Sequence, residues 1–187
     1  MISHKTKLTK AEFWQLADRA SDVTYELIKG EAIPKMAPKY FHSRVTLRLS
    51  RILEDCLGNK GRVGVEWAFD LAEDSTPVPD LIYVSFERLP IEWNENLACP
   101  VPPNLVVEII SPGQSFGQMA AKAQDYLLAG VQQVWIIDPS VQSLTILYPD
   151  QSPKTFLDKA MLPADFLPGT AVTIDQLFRQ TTAPTNR

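Results

Sequence analysis

The stretch Asn104-Leu105-Val106-Val107-Glu108-Ile109-Ile110-Ser111 decides how the rest of the chain is read. Between Asn104 and Ser111, apart from one carboxylate, it is a continuous branched-aliphatic run, closed by Pro112-Gly113. A short run of this kind, without polar alternation, is the signature of a central strand covered by protein on both faces. Glu108 breaks the pattern. A charge among residues that want to be buried must be paired, neutralised or bound to a metal, unless the strand turns that face to water.

Downstream, a helix is expected over about Gln118–Ala129, stopping at Gly130. Val134-Trp135-Ile136-Ile137-Asp138-Pro139 follows as a second buried strand, and Leu144–Tyr148 as its hairpin partner. Upstream, Val63, Val65, Trp67, Phe69 and Leu71 alternate with Gly64, Glu66, Ala68 and Asp70, giving a strand with one buried face. Val78–Val84 is another strand, separated from the central one by a proline-rich excursion over 88–103.

The N-terminal third opens with an amphipathic helix over about Thr9–Ala20, in which Thr9 is the N-cap and Glu12 completes a capping box. A hairpin follows over 24–33, turning at Lys29-Gly30, and Pro34 and Pro38 interrupt the chain. From Tyr40 to Leu57, Phe41, Val45, Leu49, Ile52 and Leu53 recur at helical spacing, with Gly58 as the stop. The other side of this helix carries Arg44, Arg48 and Arg51, with Lys35 and Lys39 just before it. The segment with Pro163, Pro168 and a last helical turn at Ile174–Phe178 reads as an appendage, and 181–187 as a frayed tail. This order of elements predicts a mixed α/β (α+β) single domain over 1–187.

Composition narrows the function. The chain has 187 residues, 45% of them hydrophobic and 21% charged, with a net charge of −4. No apolar stretch approaches the ~20 residues of a membrane span, and the N-terminus lacks the apolar region of a secretory signal. Cys56 and Cys99 alone make neither a disulfide framework nor a four-ligand zinc site, so a reduced, cytoplasmic setting is expected. The charge is unevenly spread: residues 1–60 carry a balance of +4 and residues 61–187 one of −8. The arginine face is therefore a candidate phosphate-contacting surface in an otherwise acidic protein, although a basic stripe is also an ordinary solvated helix face.

Asp80, after Pro79 at the start of a strand, is a milder form of the same anomaly as Glu108; alone it is equally an ordinary strand-entry aspartate. Together, two carboxylates on neighbouring strands can line one oxygen-rich pocket suited to Mg²⁺, with Mn²⁺ as the alternative ion. Lys122 is the only basic residue between Arg88 and Lys154, on the helix directly after the Glu108 strand. From there its side chain can reach the same pocket, where an ammonium orients water or offsets charge on a phosphoryl transition state.

These residues resemble the PD-(D/E)XK nuclease superfamily, with one departure: its usual lysine, two residues after the acid, is Ile110 here. More specifically the chain resembles the restriction-endonuclease-like Uma-two family. The blocks in order are Tyr25-Glu26-Leu27-Ile28-Lys29-Gly30-Glu31, His42 opening a helix, Val78-Pro79-Asp80-Leu81, Val106–Pro112, and Lys122–Val131 running into Val134–Pro139, within about residues 24–148. The resemblance implies a restriction-endonuclease-like core, a central mixed sheet flanked by helices. It further implies Asp80 and Glu108 as Mg²⁺ ligands, Lys122 as a lysine displaced from strand to helix, and Glu31 as a candidate accessory metal-binding acid. His42 falls on a recurrent family position and joins Arg44, Arg48 and Arg51 as a candidate nucleic-acid contact; a structural hydrogen bond at the helix start is its rival role. Glu66 is a weaker third candidate for the metal pocket.

The expected function is a Mg²⁺-dependent DNA endonuclease contacting the phosphate backbone, as a homodimer if both strands are cut. Two rivals stand beside it. A non-catalytic binding or assembly module on the same fold suits the acidic balance and the missing strand lysine. A glycosidase using Asp80 and Glu108 as acid and base leaves Lys122 and the basic helix face without a purpose.

Overall fold

A computed structural model describes residues 7–20, 22–163 and 166–179; the tail expected to fray at 181–187 lies outside the described residues. Its elements are α1 (Lys10–Arg19), β1 (Tyr25–Ile28), β2 (Glu31–Pro34), α2 (Tyr40–Leu57), β3 (Gly61–Val65), β4 (Leu81–Ser85), β5 (Leu105–Ile109), α3 (Phe116–Leu128), β6 (Gln133–Asp138), β7 (Ser143–Leu147), β8 (Lys154–Leu157) and α4 (Ile174–Phe178). The six strands β3 to β8 form one sheet in sequence order. Only β5 and β6 pair in parallel, bridged by α3, and the other neighbours are antiparallel. The sheet is thus mixed and flanked by helices, as expected.

Strand β5 is buried along its whole length, and period two divides its side chains between two cores. Leu105, Val107 and Ile109 pack with Val45, Leu49 and Leu53 of α2. Val106 packs on the opposite face with Met119, Ala123 and Tyr126 of α3. Glu108 shares the phase of Val106, so the central acid lies on the α3 side. The last β4–β5 pair is Leu81 with Val107. One step further in the same register Asp80 stands opposite Glu108, and opposed residues share a face.

The local signals explain most boundaries. Thr9 and Glu12 form the capping box of α1, and Ser115 with Gln118 forms another that starts α3 at Phe116, slightly earlier than periodicity suggested. The β1–β2 turn places Lys29 at φ 52° and Gly30 at φ 82°, where glycine carries no Cβ penalty.

Four expectations are corrected. The alternating run 63–71 is not one strand: β3 ends at Val65, and Glu66 adopts φ 49°, turning the chain out of the sheet. Gly64 permits this, because a Cβ there would meet the Trp67 ring at 2.6 Å. Strand β4 starts at Leu81 rather than Val78, leaving Asp80 just outside it. On α2 the inward stripe begins at His42, and Phe41 is exposed. The C-terminal segment is no appendage: Leu162, Leu167, Ile174 and Leu177 are fully buried in the α2-side core.

Arg48 is part of that last contact. Its guanidinium donates to the carbonyls of Gln176 at 2.5 Å and Leu177 at 3.0 Å, neutralising the C-terminal end of α4. Arg48→Met should therefore cost about 1–2 kcal/mol in urea denaturation, whereas exposed Arg51→Met should stay within about 0.5 kcal/mol. Equal effects of the two would remove Arg48 from the anchoring of α4.

Candidate active site

Asp80, Glu108 and Lys122 come together at a small cavity of about 120 Å³, whose walls also include Glu26, Lys35, His42 and Glu66. Both central acids are 4% exposed. The Lys122 ammonium lies 2.9 Å from Glu108 Oε1 and 2.9 Å from Glu26 Oε1. Glu26, on β1, is held in turn by the Val78 N–H, which donates to its Oε1 at 2.8 Å. Tyr126, one turn after Lys122 on α3, donates its hydroxyl to Glu108 Oε1 at 2.7 Å. The i, i+4 spacing is what brings the ammonium and the phenol to one carboxylate.

Asp80 is held by a different set. The Ile109 N–H donates to its Oδ2 at 2.7 Å. His42 Nε2 lies 3.1 Å from the same oxygen, and Lys35 Nζ lies 3.3 Å from Oδ1 while donating to the Val78 carbonyl at 2.7 Å. Lys35 also stands 3.8 Å from Glu66.

The two acids are consequently unlike. Burial alone would raise Asp80, but the His42 hydrogen bond, the Lys35 charge and the Ile109 N–H bring it below the ordinary aspartate range. Glu108 is raised: its burial, with Asp80 and Glu26 adding repulsion, outweighs Lys122. Burial pushes Lys122 down, yet Glu108 and Glu26 more than offset it and the ammonium is held charged. The phenol of Tyr126 is pushed far up by its own burial and then by Glu108, so it remains a donor.

The donor set fits a divalent cation of the Mg²⁺ type. Four carboxylates and two ammoniums line the cavity, a net charge of −2 with His42 counted neutral, which one such ion would balance. Among the described residues no three His, Cys, Asp or Glu side chains are gathered as a ready metal cage. Mg²⁺ does not need one: it is commonly held by one or two carboxylates and keeps several waters. Asp80 and Glu108, both buried, are the two lining carboxylates that stand opposite one another in register.

The remaining sequence candidates are scattered. Glu66 lines the cavity at its exposed rim. Glu31 starts β2 beside the hairpin turn, exposed and outside the lining, and it is Glu26 on the paired strand that reaches Lys122. His42 contacts Asp80 from below the α2 side rather than presenting itself at the surface. Arg44, partly buried, lines a second and much larger groove of about 1140 Å³. Arg48 is engaged with α4, and Arg51 is exposed. Sequence reading did not single out Glu26 or Tyr126, and it grouped Lys35 with the arginine face rather than with the acids. Glu26 had one available signal, its position inside the same hairpin block as Glu31.

Beyond this geometry, the chain is similar to a solved structure from Anabaena variabilis ATCC 29413, described as a putative nuclease belonging to DUF820, with a TM-score of 0.78 and 27% identity over 91% of this chain and 97% of that one. No curated protein matches the chain. A family model described as "Putative restriction endonuclease" matches residues 11–175, and the chain belongs to that family, Uma2.

Proposed function

We propose that the protein is a Mg²⁺-dependent DNA endonuclease, Mn²⁺ serving as the alternative ion. One observation supports this above the others: a buried Asp80–Glu108 pair and a charged Lys122 face one small cavity that shares His42, Ser111 and Gln114 with the large groove. A phosphodiester in the groove would lie against residues that also line the cavity of the acids. Asp80 and Glu108 would hold the ion, which supplies Lewis-acid chemistry to the phosphate and makes water a better nucleophile.

The protein's own groups divide the remaining work. Lys122 keeps its proton, so it acts as a fixed positive charge toward the phosphoryl oxygens rather than as a base. Glu26 aims it, since it accepts from both the ammonium and the Val78 amide. Tyr126 fixes the Glu108 carboxylate, and His42 and the Ile109 amide fix that of Asp80, which is the pre-organisation a site of this kind needs. Arg44 and Arg51 would contact the backbone without reading bases. A homodimer would serve cleavage of both strands of a duplex. Free Cys56 and Cys99 suit a cytoplasmic setting, and among the described residues no helix is long and apolar enough to cross a membrane.

One observation favours the second reading, a non-catalytic module: each central acid already has cationic partners, so the cluster is tolerable without an ion. Incubating the purified chain with plasmid and with single-stranded DNA, with Mg²⁺, Mn²⁺ or chelator, separates the two readings. Metal-dependent cutting is expected, abolished by Asp80→Asn and reduced roughly 10²–10³-fold by Lys122→Met. Cutting that persists in Asp80→Asn would sink the mechanism, and no metal-dependent cutting of any DNA would favour the module.

The unlike acids also predict a stability signature. A carboxyl raised on folding contributes stability below its unfolded pKa, and that contribution is lost as pH rises through the folded value. Glu108→Gln should therefore raise Tm at alkaline pH more than at pH 5, while removing cutting. Asp80 has the opposite sign, its stabilisation being lost as pH falls below the ordinary aspartate range, so Asp80→Asn should lower Tm near neutrality and matter less in acid. A Glu108→Gln variant that is less stable at every pH would contradict the environment described for that side chain.

A further inference from the structure

The large groove lies across the C-terminal ends of the parallel strands β5 and β6, lined there by Ile110 and Asp138. Two phenylalanines stand in its lining from opposite sides of the sheet, Phe41 at the start of α2 and Phe116 at the start of α3. They are 56% and 44% exposed. Phe41 belongs by spacing to the apolar stripe of α2, yet the buried position in that turn is taken by His42, whose ring is engaged with Asp80. The ring displaced outward by the site is thus presented to the groove beside it.

Three cations share the lining: Lys39, Arg44 and Arg179. The two acids there are engaged locally. Asp138 accepts from the amide and hydroxyl of Ser140. Asp175 is paired with Lys159 at 2.5 Å and with Thr173, and lies 3.6 Å from Arg179. With three cations against two acids, a balance of +1, the groove combines a modest excess of positive charge with flat aromatic surface. A double helix can use the first but not the second, because its bases are already stacked on one another. An unpaired strand can use both, with its phosphates tracking cations and its bases lying on rings.

We infer that this groove binds single-stranded nucleic acid, with unpaired bases stacked on Phe41 and Phe116 and the backbone led past Lys39 and Arg44 to the acidic cavity. The inference deepens the nuclease reading and rests on it for the direction of the strand. It makes the preferred substrate a single strand, which one copy of the chain can cut without a partner.

The test is binding of the full chain, in chelator so that nothing is cut, to a short fluorescein-labelled oligothymidylate and to a labelled duplex of equal length, followed by anisotropy. The single strand should bind at least about tenfold more tightly than the duplex. Phe41→Ala and Phe116→Ala should each weaken single-strand binding roughly 5- to 150-fold, the range for loss of one base–aromatic stack, and Phe41→Trp should retain it. Both positions are exposed, so thermal melting should be unchanged. Equal or tighter duplex binding overturns the inference, as does single-strand binding unaltered in the alanine variants. Sedimentation supplies a third overturning result, a dimer of the parent chain that the same variants dissociate, which would make the face an interface between copies. Because binding is read without cleavage, absence of metal-dependent cutting would remove the nuclease reading and leave the groove result standing. Duplex preference with Asp80-dependent cutting would do the reverse.

Discussion

The rest of the structure depends on a carboxylate buried in the middle of a sheet. Glu108 sits on β5, a strand buried along its whole length, and faces only a small cavity rather than bulk water. An isolated charge there would cost several kcal/mol. The chain meets this with an ammonium and a phenol from one helix, and with a second carboxylate that holds the ammonium from the other side. Docking of α3 on the sheet, the position of the β1–β2 hairpin and the orientation of the Val78 amide are thereby tied to Glu108 Oε1 and Glu26 Oε1 through one ammonium. Removing any single partner leaves a charge that the others cannot compensate equally well, which is how buried ionic groups come to specify geometry more than they add stability.

The same arrangement shows why one acid is low and the other high. Asp80 stands at a strand entrance, where a backbone amide and two basic side chains from α2 and the segment before it can converge. Glu108 lies opposite it, inside β5, and shares its ammonium with Glu26. Two carboxylates opposite one another in register, with different partners, are a common way for a protein to give chemically identical groups different roles.

Much of this was legible in the sequence, for reasons that can be named. Glu108 and Lys122 are local anomalies, a charge in an aliphatic run and a lone base in a long acidic tract, and anomalies survive without knowledge of the fold. Helix α2 and the capping box of α1 are likewise short-range features. Glu26, Lys35 and Tyr126 were not legible because each looks ordinary where it stands. Glu26 is a polar residue in a short hairpin strand, and its partner is 96 residues away. Lys35 lies between two prolines and groups by charge with the basic face of α2, while Tyr126 has the spacing of a core aromatic. Glu31 drew the attention that belonged to its neighbour on the opposite strand, since only the pairing of Glu26 with Ile33 separates the two. Strand β8 escaped because Lys154-Thr155-Phe156-Leu157 buries too little to leave a pattern. Glu66 reads as the polar phase of a strand, and only its left-handed backbone shows that the strand has already ended.

The bond from Arg48 to the end of α4 spans 128 residues and has a bearing on modularity. The quoted motif blocks end at Pro139, although the family match runs on to residue 175, and a fusion or exchange guided by motifs alone would cut between the two. Yet Leu162, Leu167, Ile174 and Leu177 complete the core under α2, the helix that supplies His42 to Asp80. A boundary drawn by motif would leave that helix half covered and its arginine without carbonyls. The core under α2 runs on to α4, in keeping with a family match that ends at residue 175.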